Sequence, residues 1–138
     1  MKLNEVLDKP YGYKWDFQPS KRGDARASFI TDNKVDYVVE FISFDVLGEK
    51  YEIAFYSKGR DINVTKSGDQ FRVFATVVKV IEDFLSKKKP KIILFNAKEE
   101  SRRRLYMAFI KKYASKFGYK YKGKDKIEGE IRFVLRKK

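Results

Sequence analysis

The chain has 138 residues, 32 Lys/Arg against 19 Asp/Glu, a net charge of +13, and neither Cys nor His. That length suits one domain able to bury a real core, which the 12 Phe and 9 Tyr supply. Without Cys or His, disulfides, thiol nucleophiles, Cys/His zinc sites and Ser-His-Asp triads are excluded, so any chemistry rests on carboxylates, Tyr, Lys, backbone amides or an oxygen-ligated metal.

The first residues, MKLNEVLDKPYGY, hold no apolar h-region, and no apolar run reaches the ~20 residues of a membrane span, so a cytoplasmic protein is the expectation. Lys2–Lys9 reads as a short helix ended by Pro10. Residues 10–24 read as a long ordered loop anchored by Tyr11, Tyr13, Trp15 and Phe17. Three strands follow as an antiparallel meander: Ala25–Thr31, Val35–Val46 and Lys50–Ser57, joined at Asp32-Asn33-Lys34 and Leu47-Gly48-Glu49. In the third, Tyr51, Ile53 and Phe55 alternate against Glu52, Ala54 and Tyr56.

After a polar stretch, a helix is predicted over Gln70–Lys87. Arg72, Thr76, Lys79, Asp83 and Ser86 form one thin polar stripe on an otherwise apolar cylinder, as for a helix packed deeply on a sheet. Lys87-Lys88-Lys89-Pro90 suits its end. Lys91–Phe95 (KIILF) is a continuous apolar run, the pattern of a buried central strand. Asn96 to Glu99 reads as an N-cap with a glutamate three residues on, opening a helix that runs to Phe117 and stops at Gly118. Leu105, Tyr106, Phe109, Ile110, Tyr113 and Phe117 share its apolar face. Tyr119–Lys122 and Glu130–Arg136 make the last two strands, across a Gly123–Gly129 loop. The predicted fold is α+β: one domain over residues 1–138, with an N-terminal helix and aromatic loop (1–24) and a mixed-sheet core (25–136).

Charge divides the chain. Residues 1–85 carry 13 Lys/Arg against 14 Asp/Glu, a net of −1, and residues 86–138 carry 19 against 5, a net of +14. A one-sided basic block is the footprint of a polyanion binder. The candidate contacts are Lys87, Lys88, Lys89, Arg102, Arg103, Arg104, Lys111, Lys112, Lys116, Lys120, Lys122, Lys124, Lys126, Arg136, Lys137 and Lys138. Tyr119 and Tyr121 interleave with Lys120 and Lys122. Such a strand either stacks unpaired bases or simply turns its aromatics inward.

The element order resembles the GNAT (Gcn5-related N-acetyltransferase) core over about residues 25–136, where three antiparallel strands lead through a cofactor loop into helix, central strand, helix and closing strands. That family carries a Gln/Arg-x-x-Gly-x-Gly/Ala loop whose amides hold the pyrophosphate of acyl-CoA. The aligned stretch here, Thr65-Lys66-Ser67-Gly68-Asp69-Gln70, keeps only Gly68, and Ser67 or Asp69 also suits a plain helix cap. By the resemblance, Ser67, Gly68, Asp69 and Gln70 would contact the cofactor. Arg104-Leu105-Tyr106 and Phe117-Gly118-Tyr119 look like the ends of the family's Asn-x-x-Ala-x-x-Leu-Tyr…Gly-Phe signature, at a longer spacing that lets Tyr113 compete with Tyr106. The family's Tyr protonates the leaving thiolate, so Tyr106 is the implied general acid. Glu52, with Glu40 as an alternative, could stand in as the base. The chain also resembles small phage-encoded proteins of unknown function with this fold, which would place it in a host cytoplasm.

Three functions compete. The first is a non-catalytic GNAT-like accessory protein binding nucleic acid or another polyanion, with no cofactor and no metal. The second is an acyl-CoA-dependent N-acetyltransferase using acetyl-CoA. The third is an interaction factor that blocks a host enzyme through an acidic protein surface. The Asp…Glu-x-Lys pattern of metal-dependent nucleases is missing, since Glu52 is followed by Ile53 and Ala54.

Overall fold

A computed structural model describes residues 9–19, 23–58, 69–97, 100–127 and 130–138. Seven strands and two helices follow in the order β1 (Lys14–Phe17), β2 (Ala25–Ile30), β3 (Asp36–Ser43), β4 (Lys50–Ser57), α1 (Asp69–Lys87), β5 (Ile92–Ala97), α2 (Glu100–Phe109), a π-helical turn (Ile110–Ala114), β6 (Tyr119–Ile127) and β7 (Glu130–Lys137). They build one mixed sheet in the order β1-β2-β3-β4-β5-β7-β6. The fold is α+β and GNAT-like.

The central strand is where the apolar run placed it. β5 lies between β4, its parallel partner, and β7, antiparallel to it. Ile93 and Phe95 face the helices and are buried, as are Tyr51, Ile53 and Phe55 on β4 and Tyr37, Val39 and Phe41 on β3. Both helices cover this one face. Phe84 of α1 stacks on Phe41 with ring centroids 4.0 Å apart, and Tyr106 of α2 lies 4.8 Å from Phe95. The helices meet at Phe74 and Tyr113. Among the described residues no helix covers the opposite face, and none is long and apolar enough to cross a membrane.

Five expectations change. The stretch 10–24 is not all loop: Lys14–Phe17 pairs with β2 through a bulge and forms one edge of the sheet. Tyr11, Tyr13 and Trp15 cover the polar stripe of α1, while Phe17 is 57% exposed. Thr76, fully buried, accepts the Tyr11 N–H at 2.8 Å, and Asp83 accepts from Tyr13 Oη at 2.9 Å and Trp15 Nε1 at 3.0 Å. The stripe is therefore a docking line for the N-terminal aromatics.

Second, Asn96 is no helix cap; it belongs to β5 and pairs with Arg132. Third, the helix does not run uniformly to Phe117. A π turn adds one residue per turn, so Ala114 takes the inner place and Tyr113 is turned out, half-buried, toward α1. Gly118 then ends the segment at φ +93°, a left-handed conformation in which glycine meets no Cβ clash. Fourth, β6 continues through Gly123 to Ile127. A bulge between Tyr121 and Gly123, at φ +113° for Gly123, absorbs the break where a loop was expected. The long predicted strand Val35–Val46 is shortened to Asp36–Ser43, because Asp45 turns the chain by accepting the N–H groups of Glu49 and Lys50. The expected helix before Lys9 lies outside the described residues.

Candidate active site

The sheet splits where β4 and β5 part. Their parallel pairing runs from Lys50 opposite Ile92 to Ile53 opposite Phe95 and stops there. Beyond it β4 stays with β3 as far as Ser57, and β5 stays with β7 as far as Ala97. Backbone groups along the gap must find other partners. One does so through α2: the N–H of Phe55 donates to the Tyr106 hydroxyl at 3.1 Å. Tyr106 is wholly buried, held between Phe95 and the core.

Glu52 reaches the same parting from the other face, one residue before Ile53 and beside Leu94 of β5. It is 7% exposed overall, and its carboxylate oxygens are not among the buried polar atoms that lack a partner. Arg132 lies on this face too. From β7, opposite Asn96 of β5, it brings its guanidinium within 5.8 Å of the Phe44 ring. Its Nε is buried without a hydrogen-bond partner. Farther along, Glu40 bonds Tyr56, and burial together with that bond pushes the Tyr56 hydroxyl above its ordinary range.

Tyr106 and Glu52, the two residues singled out as acid and base, lie along β4 on opposite faces of the sheet, Tyr106 bonding Phe55 three residues on from Glu52. Of the proposed cofactor contacts, Ser67 and Gly68 lie outside the described residues, and Asp69 and Gln70 open α1. Tyr113 sits apart from the gap, against Phe74, Phe109 and Phe117. Arg132 was missed, because a charge on an alternating strand reads as solvent-facing and only the fold brings it near Phe44. Among the described residues no three carboxylates gather as a metal site.

The cations do not form one surface. β5 carries the chain from one end of the sheet to the other, so Lys87, Lys88 and Lys89 precede it at one end and Arg103 and Arg104 follow it at the other. Arg102 lies with them in the α2 backbone. Lys87 pairs with Asp83 at 3.5 Å and lies 5.8 Å from the Trp15 ring, and Lys88 lies 5.6 Å from the Tyr51 ring. The chain returns to the first end at Tyr119, whose hydroxyl donates to the Pro90 carbonyl at 2.6 Å. Lys111 and Lys112 are exposed on the π turn, and Lys120 and Lys122 on β6. Of the interleaved tyrosines, Tyr119 turns inward and Tyr121 is 38% exposed.

Comparison with solved structures agrees with the architecture. A point variant of the spermidine N-acetyltransferase of Vibrio cholerae superposes with a TM-score of 0.51 at 10% identity, over 84% of this chain and 66% of that one. A manganese complex of the Vibrio cholerae spermidine/spermine N-acetyltransferase gives 0.44 at 12%, over 83% and 64%. The chain spans just under two thirds of the length of both. At such identities the likeness establishes the GNAT fold and no activity. No curated protein matches the sequence. Residues 13–131 match a family described as a family of unknown function, DUF6934, and the chain belongs to that family.

Proposed function

We propose that the protein is an N-acyltransferase that uses an acyl-CoA thioester, with its chemistry at the parting of β4 and β5. The observation that supports this reading is the parting of β4 and β5, with Glu52 on one face of β4 and, on the other, the Tyr106 hydroxyl bonded to Phe55 of the same strand. Bound there, the thioester supplies an activated acyl carbonyl. Glu52 takes the proton of the attacking amine as the N–C bond forms. Tyr106 gives its proton to the departing sulfur as the C–S bond breaks. Its hydroxyl accepts the Phe55 N–H, so its position is fixed through the oxygen while the O–H proton is the one transferred. In this reading the N-terminus of α1, which Asp69 and Gln70 open, would take the cofactor's phosphates, although Asp69 brings a carboxylate that weakens such a grip.

The acceptor differs from that of the structural neighbour named for spermidine. A chain of net charge +13 repels a polycation. A neutral amine, or one carrying an acidic group, fits better.

The chain has no cysteine, so a thiol-reactive chromophore reports released CoA against no protein background. Acetyl-CoA with a panel of amino acids and small amines should give thiol release above the hydrolysis blank. Glu52→Gln and Tyr106→Phe should each reduce it by about 10²-fold or more. Equal release by wild type and both variants would overturn the assignment.

A further inference from the structure

We propose that the groove between α2 and the β6–β7 hairpin is a binding site for single-stranded nucleic acid, holding one unstacked base against Tyr121 with its phosphates on Arg104 and Lys124. The site is separate from the β4–β5 gap and does not depend on acyl transfer. The cavity, of about 420 Å³, is lined by Arg103, Arg104 and Met107 of α2, by Tyr121 and Lys124 of β6 and by Ile131 and Phe133 of β7. That volume lies within the ~300–1,000 Å³ usual for small-ligand clefts.

Three features select the ligand. Among the described residues the lining holds three cations and no carboxylate, although the chain carries 19 Asp and Glu. This favours a polyanion. The floor of Met107, Ile131 and Phe133 is apolar, which a bare phosphate cannot use but the face of a base can. Tyr121 stands 6.4 Å from Phe133, tilted 52° to it, and exposes 38% of its surface at the mouth. An exposed ring beside guanidinium and ammonium groups is how proteins hold single strands without reading sequence. Paired bases cannot offer their faces to a ring inside a groove, so duplex is disfavoured.

The alternation of β6 explains the arrangement. Tyr121 is paired with Leu135 and Lys124 with Phe133, both inward residues of β7. The bulge at Gly123 shifts the register by one, so two residues three apart in sequence reach the same face. Without it Lys124 would point away from the groove. The exposed Lys120 and Lys122 extend the positive edge along the same strand.

The test is fluorescence anisotropy with a labelled dT12 oligonucleotide, the matching dA12·dT12 duplex and a poly-glutamate peptide, using the full chain at low and moderate salt. We expect dT12 to bind at least ten times more tightly than either competitor, with a log–log salt slope of about −0.7 per phosphate engaged. Tyr121→Ala should weaken dT12 binding by about ten-fold or more, Tyr121→Phe should restore it, and Arg104→Ala or Lys124→Ala should shallow the salt slope. Thermal melts of each variant check that the fold is intact. No binding of dT12 at low salt would overturn the proposal. Equal binding of duplex or peptide, or a well-folded Tyr121→Ala variant that binds as well as wild type, would overturn it too, by reducing the groove to a non-selective basic surface.

Discussion

The β4–β5 gap and the α2–hairpin groove lie on either side of β5 and differ in almost every physical respect. The gap is lined by Glu52 on one face and, on the other, by a wholly buried tyrosine whose hydroxyl replaces a missing strand as acceptor. The groove is lined by cations and a half-open ring, and water still reaches Arg104, Tyr121 and Lys124. Tyr106 is therefore tied to the core, whereas groove residues so exposed could vary freely without harming the fold.

Substitutions can break that contrast. The largest expected effect is at Phe95, fully buried between the gap and α2 and touching Tyr106 and Phe109. Phe95→Ala should lower unfolding free energy by about 3–5 kcal/mol in a denaturant titration. Tyr106→Phe should cost about 1–3 kcal/mol, because the Phe55 N–H is left buried without an acceptor. Glu52→Gln should remove acyl transfer while leaving stability unchanged or raised, which would mark the carboxylate as kept for chemistry. A loss of stability there would make it structural instead. Arg104→Ala and Lys124→Ala should shift stability by no more than about 0.5 kcal/mol while weakening dT12 binding. A large destabilisation by either would erase the difference between the two regions.

A pH experiment sharpens the contrast from a third place. Burial raises the Asp83 carboxyl, but the bonds from Trp15 and Tyr13 and the charge of Lys87 outweigh it and hold the group below its ordinary value. A depressed carboxyl contributes stability that is present above the unfolded value, near 4, and is lost as pH falls through the lower folded one. Acid should therefore release the N-terminal aromatics first. Trp15 is the only tryptophan, so its fluorescence reports this directly, and Asp83→Asn should abolish the acid transition.

Much of the fold was legible in the residues because periodicity is local. The stripe from Arg72 to Ser86 and the run Lys91–Phe95 each specify an element without knowledge of its neighbours. Tyr106 and Glu52 were legible as candidates only through the resemblance. Their placement at one gap depends on where β4 and β5 part, which no single segment encodes. β1 was hidden because four residues between turns carry too short an alternation to stand out. The π turn was hidden because one inserted residue leaves an apolar face that still looks continuous. The basic half read as one surface, since separation along a sequence does not say which end of a strand a charge will occupy.

The insertion of β7 between β5 and β6 sets the order in which the molecule can assemble. β1 to β4 are joined by short connections, and each meets its partner as a neighbour in sequence. β5 has no such luck on its second side: Ile92 must wait for Arg136, across α2 and the whole of β6. Closing that distance costs chain entropy before any contact repays it, so the meander should form quickly and the docking of β7 should limit the folding rate. Until β7 docks, the freshly formed β5 edge is open to a strand from another molecule, and the vulnerable period for aggregation is the one that precedes the last pairing.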